Sequence, residues 1–166
     1  MSDLLIQNAR LANQENLVNI SINGSHIESI DNISEAFKNN DNKPTAIFDA
    51  KGNFVCSGFF ESHIHLDKAC ILNRCTIEQG DLDEAVEETS KAKAEFTEAD
   101  VLERASKVIE MVIKKGTVGL RSFVETDSKT EMRAFNAIKK ARDNYAFAID
   151  IEICAFAQSG LTNAPH

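Results

Sequence analysis

The strongest constraint on what this chain can fold into is the change of texture at Gly58. Before it, apolar residues come in short alternating runs; after it, strand-like runs alternate with helix-length amphipathic stretches. Alternation of strand and helix is the pattern of a parallel sheet, because each parallel strand must be reached by a crossover, usually a helix. Residues 1–57 and 58–166 are therefore read as separate segments, the first all-β and the second α/β.

In the first segment, Leu4-Leu5-Ile6 reads as a short strand. Val18 to Ile22 alternates, Asn23-Gly24 follows, and His26 to Ile30 resumes the apolar positions, which predicts a hairpin around a tight turn. Asn39 to Pro44 is a polar loop, and Ala46–Asp49 and Phe54–Cys56 are short strands around Lys51-Gly52. In the second segment, Phe59 to Leu66 is a strand, and Asp81 to about Phe96 is an acidic helix. Thr97 with Asp100 opens a second helix. Its apolar positions Val101, Leu102, Ala105, Val108, Ile109, Val112 and Ile113 fall at helical spacing, and Gly116 ends it. Val118 to Glu125 is the next strand. Ser128 with Glu131 caps a third helix that turns Met132, Phe135 and Ile138 inward. Phe147 to Ala157 is the last strand, with Phe147, Ile149, Ile151 and Ile153 on its helix-covered face and Asp150, Glu152, Cys154 and Phe156 on the other.

The chemistry concentrates where these strands end. In a β/α barrel, functional side chains stand at the C-terminal ends of the strands. His63 and His65, two residues apart at the end of the first such strand, point the same way. Two imidazoles on one rigid face make half of a metal site, since catalytic zinc or iron takes at least three protein ligands and an open position. Glu125 ends the second strand and could cap the next helix or pair with Arg121. Gln158 lies just past the third, where an amide that donates and accepts suits a cyclic amide or amidine edge. Glu61 shares the parity of the histidines and could be a buried, paired carboxylate. His26 reads as a strand residue, and His166 carries no signal.

Composition narrows the partners. A formal net charge of −8 leaves no basic stripe for nucleic acid or an anionic membrane, and no apolar run approaches the roughly 18 residues of a membrane span. The N-terminus lacks the basic start and apolar run of a signal peptide, so a cytoplasmic location is expected. Cys56, Cys70, Cys75 and Cys154 form no C-x-x-C pair and are expected to be reduced and mostly buried, with a soft-ligand role conceivable for Cys70 and Cys75.

With the runs Gly58 to Lys68, Leu120 to Thr126 and Ala155 to Gly160 in place, the chain resembles the amidohydrolase superfamily, and within it the cytosine deaminase branch. The resemblance implies a partial TIM (β/α)8 barrel of about three β/α units, residues 58–166, preceded by N-terminal strands, residues 1–57, of a composite β-sandwich. It implies one divalent metal ion, zinc or iron, with His63 and His65 matching the first two ligands. Gln158 matches a glutamine that holds a pyrimidine amide. The implied activity is hydrolytic deamination of a small cyclic amidine or amide. The family's third histidine ligand, metal-binding aspartate and proton-shuttling groups lie on later strands, so little turnover is expected of these residues alone. Phe123 stands where cytosine deaminases usually have histidine, and Ala157 and Ser159 replace the common proline and glutamate. An open sheet with two free edges implies an oligomer or a complementary chain as partner. The alternatives are a non-enzymatic fragment that binds such a chain, and a ring-opening hydrolase of the hydantoinase or dihydroorotase kind.

Overall fold

The computed structural model describes residues 2–33, 44–127, 130–158 and 160. The chain divides into two compact units, Met1–Ser57 and Gly58–His166, and each is described by itself.

The first unit is one four-stranded mixed sheet in the order β3-β2-β1-β4, built from β1 (Leu4–Ala9), β2 (Val18–Asn23), β3 (His26–Asn32) and β4 (Ala46–Asp49). β2 and β3 form the expected hairpin, with Asn23 opposite His26 and Gly24 at φ +57° supplying the left-handed turn that an L side chain resists. β1 pairs antiparallel with β2 and parallel with β4. Its core is small: Ala9, Val18, Ile20 and Ala50 are buried, with Ile6, Leu11, Ile22 and Val55 packed against them. The expected strand Phe54–Cys56 is not formed. Lys51 and Gly52 take positive φ and turn the chain, so only a single bridge between Arg10 and Phe54 remains. The loop expected at 39–43 lies outside the described residues, and the four strands make one sheet.

The second unit is an open parallel sheet in the order β5-β6-β7, from β5 (Phe59–Ile64), β6 (Thr117–Glu125) and β7 (Asp150–Phe156). Helices α1 (Leu82–Lys93) and α2 (Glu98–Lys114) separate β5 from β6, and α3 (Arg133–Tyr145) separates β6 from β7. Thr97 caps α2 by accepting from the Asp100 N–H, and Gly116 at φ +89° turns the chain from α2 into β6. The apolar stripe of α2 packs as its spacing requires: Val101, Ala105 and Ile109 are fully buried with Leu120, Val124 and Ile151 of the strands, Ile149 just before β7, and Ala134, Ala137, Ile138 and Ala141 of α3.

Three expectations are corrected at element ends. β5 stops at Ile64, so His65 falls just past it and Leu66–Lys68 forms a 3-10 turn. α3 begins at Arg133 and Met132 is exposed; Glu131 has φ +52°, which is not helical, and Ser128 is outside the described residues. β7 begins at Asp150, because the 148 and 149 N–H groups return to Tyr145 O. Phe147 is left in the turn, 86% exposed, instead of on the helix-covered face. The thiols also differ from expectation: Cys56 and Cys70 are exposed and Cys75 and Cys154 half-buried, all free, because they sit in loops and on the uncovered side of β7. Among the described residues, no helix is long and apolar enough to cross a membrane.

Candidate metal centre

β5 and the 3-10 turn after it carry His63, His65, Asp67 and Lys68; the ends of β6 and β7 bring Phe123, Glu125, Phe156 and Gln158 beside them. His63, His65 and Gln158, the three residues singled out from sequence, line one cleft of about 530 Å³ with Lys68, Phe123 and Phe156.

The imidazoles of His63 and His65 lie 5.3 Å apart, centroid to centroid, at 69°. Two imidazoles on one tetrahedral ion, at about 2.0–2.1 Å from nitrogen to metal, have centroids about 5 Å apart. The separation fits a shared ion. His65 Nδ1 lies 3.0 Å from Phe123 O. A carbonyl only accepts, so that bond puts the proton on Nδ1 and leaves Nε2 with its lone pair, the arrangement by which outer contacts orient a ligating histidine. Burial holds the His65 imidazole below its ordinary pKa, and the Lys68 ammonium adds to this, which favours the neutral, ligating form. His63 is held differently, by the Phe123 ring stacked on it at 4.2 Å. Phe123 thus fixes one histidine with its ring and the other with its backbone.

Asp67 is buried, and burial pushes its carboxyl pKa up. Its Oδ2 accepts from the Glu125 N–H at 3.1 Å. Oδ1 has no hydrogen-bond partner among the described residues and lies 4.0 Å from His65 Nδ1. The turn that presents these groups is pinned from α2. Arg104, buried, donates to Asp67 O and Ala69 O, pairs with Asp100, and lies over the Phe96 ring at 4.4 Å. That residue was not singled out from sequence; its signal was a cation on the buried stripe of α2, four residues after Asp100.

Glu125 is wholly buried and pairs with Lys93 (2.7 Å) and Lys68 (3.3 Å). Of the alternatives the sequence left open, the pairing with Arg121 is not made, because Arg121 faces Glu152 one strand over. Lys68 also donates to Gln158 Oε1 and lies over the Phe156 ring. Glu61 is exposed and accepts from the His63 N–H, so it is not a buried pair. Cys70 and Cys75 line a separate cavity of about 470 Å³, away from the two histidines, and Cys75 donates to Ile71 O. Among the described residues there is no group of three or more His, Cys, Asp and Glu that could hold a metal.

No protein-family model matches the chain. It is 30% identical over 163 residues to the N-isopropylammelide isopropyl amidohydrolase of Pseudomonas sp. (strain ADP), across 95% of this chain and 39% of that protein. Its fold is similar to 5-methylcytosine deaminase from Klebsiella pneumoniae, crystallised with 5-fluorocytosine (TM-score 0.83, 29% identity, 97% of this chain and 38% of that one). It shares a fold with an atrazine chlorohydrolase from Arthrobacter aurescens TC1 complexed with zinc (TM-score 0.69, 16% identity, 92% and 35%). Together these similarities place the chain in the amidohydrolase superfamily. It spans well under half the length of each of these relatives.

Proposed function

We propose that residues 58–166 are the first β/α units of a metal-dependent barrel hydrolase acting on a C–N bond of a small cyclic amidine or amide, a pyrimidine being the best match. On this reading residues 1–57 are the strands of its composite sandwich. The observation that carries the reading is the His63–His65 pair at a separation suited to one ion, with His65 Nδ1 already committed to a carbonyl. Zinc or iron bound there would lower the pKa of a water to supply hydroxide near neutral pH. His63 and His65 would hold the ion. The remaining ligands and proton-transfer groups would come from outside the described residues.

Gln158 would hold the substrate edge. Its oxygen accepts from Lys68, which leaves the NH2 as the end that donates to a ring carbonyl or nitrogen. Phe123 offers a ring substrate an apolar wall rather than a hydrogen bond. A second reading, a non-catalytic chain completed by a complementary chain, is favoured by the two free edges β5 and β7 and by Phe59, Phe60 and Val118, each more than half exposed.

The test is 19F NMR of 5-fluorocytosine with the zinc-loaded chain, followed by ammonia release. Zinc-dependent broadening in the parent that Gln158→Ala removes is the expected result. A resonance indifferent to protein and zinc would overturn the pyrimidine hydrolase reading and leave the complementary-chain reading.

A further inference from the structure

Helix α1 packs poorly for a helix beside a candidate site. Ala92 is its only buried residue; Leu82 is 76% and Val86 45% exposed. Ala85 and Thr89 line both the cleft of about 530 Å³ and the cavity of about 470 Å³, so there is open space on two sides of the helix. Burial of large apolar side chains is what chiefly holds a helix to its sheet, and α1 buries none. Its Glu84 and Glu88 accept N–H groups of the loop just before it, which ties the helix to its own approach and not to the sheet. The ionic link to the sheet is Lys93, whose Nζ lies 2.7 Å from Glu125 Oε1.

Glu125 is fully buried, and a buried carboxylate needs counter-charges to offset its lost hydration. It has two, Lys93 and Lys68, each with 11% of its side chain exposed. Two ammonium groups share the Glu125 carboxylate, and Lys68, which also feels the Asp67 carboxyl beside it, meets Gln158 Oε1 and the Phe156 ring face as well.

We propose that Glu125 is a positioning residue that couples α1 to Gln158: through Lys93 it holds the helix, and by sharing its charge it leaves Lys68 free to hold the Gln158 amide. The functional meaning rests on Gln158 being a substrate contact; the coupling itself does not. The geometry gives an unusual sign. Without the Lys93 charge, α1 loosens while Glu125 pairs wholly with Lys68 and draws it away from Gln158.

The test uses the 166-residue chain as Lys93→Met and Lys93→Arg variants, with amide hydrogen exchange and acetic anhydride labelling read by mass spectrometry. In Lys93→Met, amides of 82–93 should exchange about tenfold faster while β6 and α2 keep their protection. Lys68 should be acetylated about threefold more slowly, since its ammonium is more tightly paired. Lys93→Arg should restore both. Lys68 labelling that is unchanged or faster, α1 exchange that is unchanged, or protection lost in β6 and α2 together with α1 would overturn the proposal. None of these readouts needs metal or turnover, so a failed hydrolase reading would leave the coupling standing, and the reverse.

Discussion

The two faces of the parallel sheet differ in how their side chains are satisfied. On one face Leu120, Val124, Ile149 and Ile151 are covered by α2 and α3, with hardly any water contact. The other carries the Arg121–Glu152 pair, Phe123, Cys154 and Phe156; α2 and α3 leave it open, and α1 only borders the cleft at its end. The covered face explains why these residues fold; the uncovered one carries the groups on which the proposed function rests. Apolar packing alone would not put two imidazoles, two lysines and an amide at one end of three strands, and a face left open is one that a ligand, metal or further chain can reach.

The largest expected effect breaks the covered face. Ile138→Ala or Leu120→Ala should lower unfolding stability by about 2–5 kcal/mol in urea melts, because each empties a fully buried position. Phe60→Ala, at a residue 59% exposed, should change it by less than about 1 kcal/mol. Equal losses at the two sites would mean that the open face is covered in solution. Next comes the pin between α2 and the histidine-bearing turn. Arg104→Met leaves two carbonyls without their donor and Asp100 with Arg74 alone, and should cost about 2–3 kcal/mol by the same melts.

The acid limb sharpens that point. Arg74, and then Arg104, hold the Asp100 carboxyl down to about 2, against 3.8 for an unperturbed aspartate. A group with a depressed folded-state pKa contributes stability above its unfolded pKa and loses it as pH falls through the folded one. About 2 kcal/mol should therefore disappear between about pH 4 and pH 2, and Asp100→Asn should flatten that part of the stability profile measured by urea melts against pH. The smallest effect belongs to the open face: Arg121→Ala should shift stability by no more than about 1 kcal/mol, since both partners of its ion pair are solvent-exposed.

Much of this was legible in sequence, and unevenly. The stripe of α2, the Asn-Gly hairpin and the convergence of His63, His65 and Gln158 all follow from periodicity and turn chemistry, which are local signals. What escaped is non-local. For Glu125 the sequence offers a cap of the next helix or a pair with Arg121, both close by in the chain, whereas its partners Lys68 and Lys93 come from a turn and a helix more than thirty residues away. Phe147 continues the alternation of β7 but is claimed by the end of α3. Phe123, noted for not being histidine, turns out to orient both histidines, a role divided between its ring and its carbonyl that residue type does not reveal.

The most direct test of the central claim, that the open face carries part of a metal site, is zinc titration of the purified chain beside His63→Ala and His65→Ala variants, with elemental analysis of what is retained. One zinc per chain in the parent, bound at least about tenfold more tightly than in either variant, is the expected result. Zinc that binds the parent no better than the variants would contradict it and leave His63 and His65 as an edge-on aromatic pair without a metal role.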